Sequence, residues 1–588
     1  MRNGIRQRYY EDVDPSALSN IERLEVLKGP SAVLYGEGGV GGIVSIITKQ
    51  PTKVFSGSAA LTLGSHDQKI GTFDLGGPVS ETLGLRLTGE VERSGTFVDF
   101  QDIRRENLGF TLAWRPTASV SAHLVAEYAN RETAQNPGLP TIGTVISNGV
   151  GTVRRSTFLG EPGFSLEQAD SPLVQAWVDF KLNDTWTLTP RFQYNEFNHK
   201  SNSVILGEPL AGQPTVIQRL GRPAGEHDQF RVGQLDLAGQ VLALGTVHKL
   251  LLGIEYSADR VNFRMENNLP CGIGPIDALN PVYGCGAPVP NFGFLAPNYL
   301  DGRAFYVQDQ VAITDAWNVV AGIRHAEFDN STRFITDFFT TSSSSRFRQT
   351  AWQLGTTYAL GNGVSLFGGY NTGYDVERTL QARRPDGTPF QPETYDQVEA
   401  GVRLSGGTLR GTASVFRIRR NDVIQPDPAN IGFNIQEGQF RVQGLELEGE
   451  WTPKPGWWLQ GGYAYLDGVV SQSPIPGQQG ARLAEIPRHS VTATTRVAVG
   501  PVELRAAANY VGSRKLVNGG AVTLPGFVTF DLGAGTTIGP VRLDATLTNV
   551  FDKTYYYSDN LSVFSVGGEN HVYPGTPRAF RLRATYNF

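Results

Sequence analysis

Val541-Arg-Leu-Asp-Ala-Thr-Leu-Thr-Asn-Val-Phe551 reads alternately apolar and polar. One face carries Val541, Leu543, Ala545, Leu547 and Phe551, and the other Arg542, Asp544, Thr546 and Thr548. A period of two belongs to a β-strand, because successive side chains leave an extended backbone on opposite faces. The pattern recurs from about Val54 to the end of the chain. Phe580, Leu582, Ala584, Tyr586 and Phe588 alternate with Arg581, Arg583, Thr585 and Asn587, and Leu85, Leu87 and Val91 oppose Arg86, Thr88, Glu90 and Glu92.

A soluble β-sandwich also alternates, so the connections decide between architectures. Short turns are predicted near Gly77–Val79, Arg115–Ser119, Asn183–Thr185, Leu244–Val247, Thr314–Ala316, Gly361–Gly363, Ser405–Thr408, Thr452–Gly456, Gly500–Pro501 and Gly539–Pro540. Longer connections lie between them, at roughly 132–171, 199–227, 263–300, 372–392, 421–438, 468–485 and 552–575. Ten short turns and eleven outer connections, the weaker ones assigned by position, make 22 strands at roughly 24 residues each with its connection. Short turns on one rim and long loops on the other are the pattern of an outer-membrane barrel. Trp114, Trp186, Trp317, Trp451, Trp457 and Trp458 fall near short turns, as an interfacial aromatic girdle requires. The expected fold is therefore an all-β membrane protein, a 22-stranded antiparallel transmembrane barrel over 53–588.

Composition agrees. The 588 residues are 18% charged, with 69 glycines and a net charge of -5, which gives no reason to expect nucleic acid as a partner. Mean hydropathy is -0.22, and no apolar run approaches the ~20 residues of a spanning helix. A barrel tolerates this, because only alternate residues meet lipid. Cys271 and Cys285 lie in a Gly/Pro/Asn-rich stretch and read as a metal pair, unrelated thiols or a local disulfide. Two cysteines alone make a poor metal site, so the disulfide is the favoured reading. The eight histidines are scattered, with no metal spacing, nucleophile elbow or P-loop, and nothing suggests an enzyme.

Residues 1–52 depart from the strand rhythm. A short helix or turn is expected near 15–20, then strand IERLEVLKG, a turn-rich segment and strand IVSIITK. The unit is too small to bury a core alone and is expected inside the barrel. Gly36, Gly38 and Gly41 spell G-x-G-x-x-G, but a strand follows where a dinucleotide fingerprint needs a helix. Tight turns explain these glycines better.

The segment from Ile21 to Pro51, IERLEVLKGPSAVLYGEGGVGGIVSIITKQP, resembles the second half of the plug of TonB-dependent outer-membrane receptors. Ser45 stands where that family often has Asn. PETYDQVEAGVRL, QGLELEGEWTPKPGWWLQGGYAYLDG, EIPRHSVTATTR, LTNVFDKTYYYS and YPGTPRAFRLRATYNF resemble barrel strands of the siderophore-receptor branch, and Phe588 resembles the terminal aromatic read by the barrel assembly machinery. The resemblance implies a monomeric outer-membrane receptor that binds a ferric siderophore and passes it inward on energy from TonB. It implies no resident cofactor, the iron travelling only within the chelate. Passive pores and receptors for haem, cobalamin or carbohydrate are the alternatives. Family plugs are longer and follow a signal peptide and TonB box. Met1 is followed here by Arg-Asn-Gly-Ile-Arg-Gln-Arg, not an export signal. As it stands, the chain is expected neither to be exported nor to couple to TonB.

A chelate shields its metal, so aromatics, hydrogen-bond donors and cations should receive it. Candidate ligand contacts are Arg6, Arg8, Tyr9, Tyr10 and Tyr35 on the plug, and Arg378, Arg383, Arg384, Tyr555, Tyr556 and Tyr557 in outer connections. For plug–barrel contacts, Arg23, Lys28 and Lys49 are set against Glu399, Glu446 and Glu448.

Overall fold

The computed structural model describes residues 1–7, 18–29, 31–376, 384–430, 433–558 and 571–588. Among these, 22 antiparallel strands close into a barrel. The ring shuts where Ser56–Gly64 pairs with Ala579–Asn587, Leu61 standing opposite Ala584. Closure gives every strand two neighbours and leaves no unpaired edge in the hydrocarbon. Among the described residues no helix is long and apolar enough to cross a membrane; the wall crosses with strands.

All ten short turns lie at one rim, as the joint between Glu393–Gly406 and Leu409–Pro426 illustrates. The predicted connection at 199–227 is not a loop. Strands Thr187–Leu210 and Gln213–Ala243, 24 and 31 residues long, continue through it to a turn at Ala211–Gly212. Proline has no N–H to give a ladder and is found in strands mainly at edges or bulges. Pro209 sits where the register slips between Leu206 and Leu210, so the hairpin absorbs it. About ten residues cross a bilayer, and the remainder of this hairpin stands above it.

That hairpin supports folded outer connections. Leu206 and Ile217 bury themselves with Leu139, Val153, Leu159, Ile276 and Ala278 from connections 134–165 and 266–293. Each such side chain contributes about 1.5–3 kcal/mol by leaving water. Cys271 and Cys285 are disulfide-bonded with Cα atoms 4.9 Å apart, and Cys271 packs on Phe164, Val204 and Leu269.

The alternation sorts the wall into two faces. Phe192, Leu252, Ile254, Phe305, Trp352, Leu354 and Phe530 are exposed on the outside. In water such a surface would drive association; here it is the lipid-facing band. Thr88, Gln175, Gln193, Asn195 and Arg324 point inward and are buried. What buries them is the plug. Its strands Ile21–Lys28 and Gly42–Thr48 pair antiparallel, Val26 opposite Val44, with a one-turn helix Ala32–Tyr35 between them. Gly42 has φ +136°, and a Cβ there would lie 2.3 Å from the Leu27 carbonyl oxygen, so the close return of the chain requires glycine.

Candidate functional site

Residues 1–3 run beside the plug strand Gly42–Thr48, and the side chains of Arg2 and Asn3 reach the wall. Arg2 is fully buried and ion-paired with Glu127 of strand Val120–Thr133, its Nε donating to Oε1 at 3.0 Å. Asn20 donates to the same oxygen at 2.7 Å, and Asn3 donates to Gln175 at 2.8 Å. Gln175 returns a bond to the Arg2 carbonyl at 2.9 Å. A buried charge is tolerable only with partners of this kind.

A second set of bonds holds the plug's apical turn. Arg6 Nη1 meets Glu37 at 2.9 Å, and its Nη2 lies 3.9 Å from Glu255 on strand Thr246–Met265. Arg324 from strand Trp317–Ile335 donates to Glu255 at 2.7 Å, and Gln234 donates to the other Glu255 oxygen at 2.7 Å. The Arg6 guanidinium lies over the Phe230 ring at 5.5 Å and that of Arg324 over Tyr306 at 5.2 Å. The Gly38 amide donates to the Tyr374 carbonyl at 3.1 Å, and the Tyr395 hydroxyl donates to the Gly38 carbonyl. Both tyrosines are 1% exposed. They stand at the outer ends of Val364–Asp375 and Glu393–Gly406, the strands that carry the outer connection 376–392.

Lower contacts complete the clamp. Lys28 donates to Glu446 at 2.6 Å and to Glu448 at 2.5 Å. Burial pulls the Lys28 pKa down, but the bonds to both carboxylates and their charge outweigh it and raise the pKa above 10.5. Lys49 pairs with Asp74 at 2.8 Å, and Asp74 also accepts from Arg86. Gly29, at φ +77°, leaves room for Gln397, whose Oε1 would lie 2.2 Å from a Cβ.

The sequence candidates thus separate. Lys28 meets Glu446 and Glu448, whereas Lys49 finds a carboxylate outside the expected set. Arg23 corrects its expectation: it pairs with Glu25 of its own strand at 2.6 Å and is exposed, because two residues along a strand share a face. Glu399 accepts from the wall residue Gln397 at 3.3 Å. Arg6 is paired with Glu37 inside the lumen. Tyr35 is partly buried; burial, then the Glu25 charge, raise its pKa against the pull of Arg191. Tyr555 stacks on Phe527 at 4.3 Å, and Tyr556–Tyr557 pair with His571–Pro574, which pair with Leu139–Pro140. These tyrosines join outer connections to one another, although Tyr557 remains 45% exposed. Arg384 donates to Gln436 at 3.1 Å and covers Phe390. Arg8, Tyr9, Tyr10, Arg378 and Arg383 lie outside the described residues.

Sequence reading missed Arg2, Glu37, Glu127, Glu255, Arg324, Tyr374 and Tyr395. Inward parity marks the wall members as lumen residues, but parity cannot say which height of the wall the plug reaches. Among the described residues no group of histidine, cysteine and carboxylate side chains could hold a metal ion. The arrangement is a set of polar and ion-pair contacts that clamp the plug to the wall.

Known proteins resemble this chain over most of its length. Residues 113–550 match the family model described as TonB dependent receptor-like, beta-barrel, and residues 1–43 match the TonB-dependent Receptor Plug Domain. The chain is 29% identical to the Metal-pseudopaline receptor CntO of Pseudomonas aeruginosa, covering 99% of this chain and 82% of that protein. It is 26% identical to the Ferrioxamine B receptor of Salmonella typhimurium, covering 97% and 81%. The crystal structure of the ferric-catecholate import receptor Fiu from Escherichia coli K12 superposes with a TM-score of 0.86 at 20% identity, over 97% of this chain and 86% of that one.

Proposed function

The chain belongs to the TonB-dependent receptor family, and from that footing we propose that it binds a ferric siderophore at the outer face of the outer membrane and passes it to the periplasm. The chelate is received between the outer connections and the plug, and TonB supplies the work that displaces the plug. Iron is cargo here, enclosed by its ligand, so the protein meets an organic surface rather than a metal.

One observation carries this reading. The plug turn Gly36–Gly39 is bonded to Tyr374 and Tyr395, at the foot of the outer connection 376–392. Ligand held by that connection and the position of the plug are therefore mechanically joined. The plug also makes polar pairs, Arg2 with Glu127, Lys28 with Glu446 and Glu448, and Lys49 with Asp74, beside smaller apolar contacts of Ile5, Ala32 and Val33 with the wall. Water can replace such pairs one at a time as the plug moves, which a continuous apolar interface would not permit.

The named ligands of the relatives define the test. Radiolabelled ferric hydroxamates, ferric catecholates and metal-loaded pseudopaline are offered to the purified protein in detergent and to iron-limited cells expressing it. Saturable binding and uptake of at least one ferric chelate is the expected result. Binding of none refutes the reading. Preference for metal-loaded pseudopaline would favour a second reading, a receptor for chelates of metals besides iron, which the 29% identity to the pseudopaline receptor supports.

A further inference from the structure

Two neighbouring outer connections, 266–293 and 336–339, are joined by one strip of phenylalanine rings. Phe263, Phe294 and Phe334 stand near the outer ends of strands Thr246–Met265, Phe294–Ala312 and Trp317–Ile335. Each lies an even number of residues from a lumen-facing side chain of its own strand, Glu255, Tyr306 and Arg324 in turn, so all three rings face the lumen. Ring centroids are 5.7 Å apart for Phe263 and Phe294, and 4.7 Å apart for Phe294 and Phe334. Phe339 extends the strip 6.1 Å from Phe334, and Phe292 lies 6.3 Å from Phe294. Neighbouring planes differ by 28° to 45°.

The strip passes from buried to exposed. Phe263 and Phe294 are 2% and 6% exposed and form a core with Val261 and Ala296. Phe292 and Phe339 are 53% and 43% exposed, and core packing gives no reason for aromatic rings there. Their backbones are fixed. The Thr336 amide donates to the Phe339 carbonyl at 2.9 Å, and the Phe339 amide donates to Thr336 Oγ1 at 3.0 Å. Asn267 donates to Asp337 at 2.8 Å, tying that turn to the other connection. Beside Phe292, the Asn291 amide donates to the Asn267 carbonyl at 2.7 Å, and the Asn291 side chain donates to the Glu266 carbonyl at 2.9 Å. The two rings are thus held out to water, where uncovered apolar surface is costly. The carboxylates of these connections are engaged, Glu266 by Arg264 at 3.0 Å and Asp337 by Asn267.

Resting on the reading of the chain as a ferric-chelate receptor, we propose that this strip is an entry station selecting chelates with aromatic arms. Catechol or phenol rings of the chelate stack on Phe292 and Phe339 before the cargo descends to the plug. Aromatic pairs favour offset or tilted stacking at centroid distances of about 4.5–7 Å. The strip already holds that spacing among its own members, so a ligand ring continues the series. A hydroxamate arm has no ring and gains only apolar contact. The station is separate from the clamp: the stretch from Glu255 to Phe263 spans roughly 26 Å along its strand at ~3.3 Å per residue.

The test compares two ferric chelates built on one hexadentate scaffold, one with catechol arms and one with hydroxamate arms. Each is titrated onto the full chain in detergent and followed by quenching of intrinsic fluorescence. Phe292→Leu with Phe339→Leu keeps the apolar volume and removes both rings. It should weaken binding of the catechol chelate by about tenfold, a few-fold for each ring, and leave binding of the hydroxamate chelate unchanged. Phe292→Tyr with Phe339→Tyr should restore catechol binding. Phe338→Leu, at the 84% exposed tip of the same turn, removes a ring outside the strip and should have no effect. Heat-resistant gel mobility reports the folded barrel in every variant. Equal weakening of both chelates, no weakening of either, or failure of the tyrosine pair to restore binding overturns the station. So does binding of the hydroxamate chelate alone. In each of these cases the receptor reading survives, whereas binding of neither chelate by the wild type removes both.

Discussion

Replacing Glu255 by glutamine tests whether the plug is held by the buried charge network or merely enclosed by the wall. The Glu255 side chain is 7% exposed, Arg324 is 2% and Arg6 is 11%. Removing one partner of a buried ion pair typically costs 3–5 kcal/mol, because the remaining charge stays desolvated. Glutamine keeps the shape and still accepts one bond from Arg324, which returns about 1 kcal/mol. Arg6 also retains Glu37 at 2.9 Å. The net expectation is about 2–4 kcal/mol against the docked plug, or roughly a hundredfold more frequent opening, since 1.4 kcal/mol is tenfold. Hydrogen exchange read by mass spectrometry follows this directly. Amides of the plug turn, including Gly38 bonded to Tyr374, should lose protection by that factor, while Val541–Thr548 across the barrel should not change. A change under about threefold in the turn, or an equal change everywhere, would refute the reasoning. The double variant Glu255→Gln with Arg324→Met is the second check. It removes both members of the pair and should recover most of the protection, because an apolar replacement of a buried pair is often neutral.

Other consequences can be measured independently. The raised pKa of Lys28 means that its bonds to Glu446 and Glu448 are complete below pH 10.5 and are lost as pH rises through the higher folded value; amine acylation of Lys28 at pH 10.5 should therefore lag behind a free lysine peptide, and equal rates would contradict the pairing. Leu354 is 55% exposed toward lipid near mid-height of its strand, so Leu354→Arg should cost about 2–4 kcal/mol in urea unfolding from vesicles. The inward neighbour Gln353→Arg should cost far less, and equal losses would mean the faces have been exchanged. Replacing Cys271 and Cys285 by serine opens a 14-residue separation and should destabilise connection 266–293 by about 3 kcal/mol. Limited proteolysis followed by mass spectrometry should find new cleavage there; an unchanged digest would show the disulfide to be dispensable.

Much of the fold was legible because a barrel writes its geometry into every strand. Period-two alternation states which residues face lipid, and that rule holds for Val541–Thr548 as for Leu83–Gly95. Turn signals at ten places set the strand count, since a short turn leaves the next strand nowhere to go but alongside. The connection at 199–227 differs for a local reason: the strands run on above the bilayer as a paired hairpin that accommodates Pro209 at a register slip. Cys271 and Cys285 were readable as a pair because a short loop brings their backbones near.

The clamp was not legible in the same way. Lys28 and the pair Glu446 and Glu448 stand more than 400 residues apart, and no local pattern links them. Arg23 shows the limit: its charge suited a plug contact as well as that of Lys28 did, yet Glu25 on the same strand face reached it first. By itself the sequence determined the strands, their inward and outward faces, the order of the turns and the presence of a plug-like unit. Only the tertiary structure decided the height and rotation at which that unit sits in the lumen, and hence that Glu37, Glu255, Arg324, Tyr374 and Tyr395 share one site. The physical reason is that alternation is a property of each strand alone, whereas the docking of the plug is settled by desolvation and charge pairing across a closed ring. Every inward polar residue competes in that choice, and it cannot be made before the ring exists.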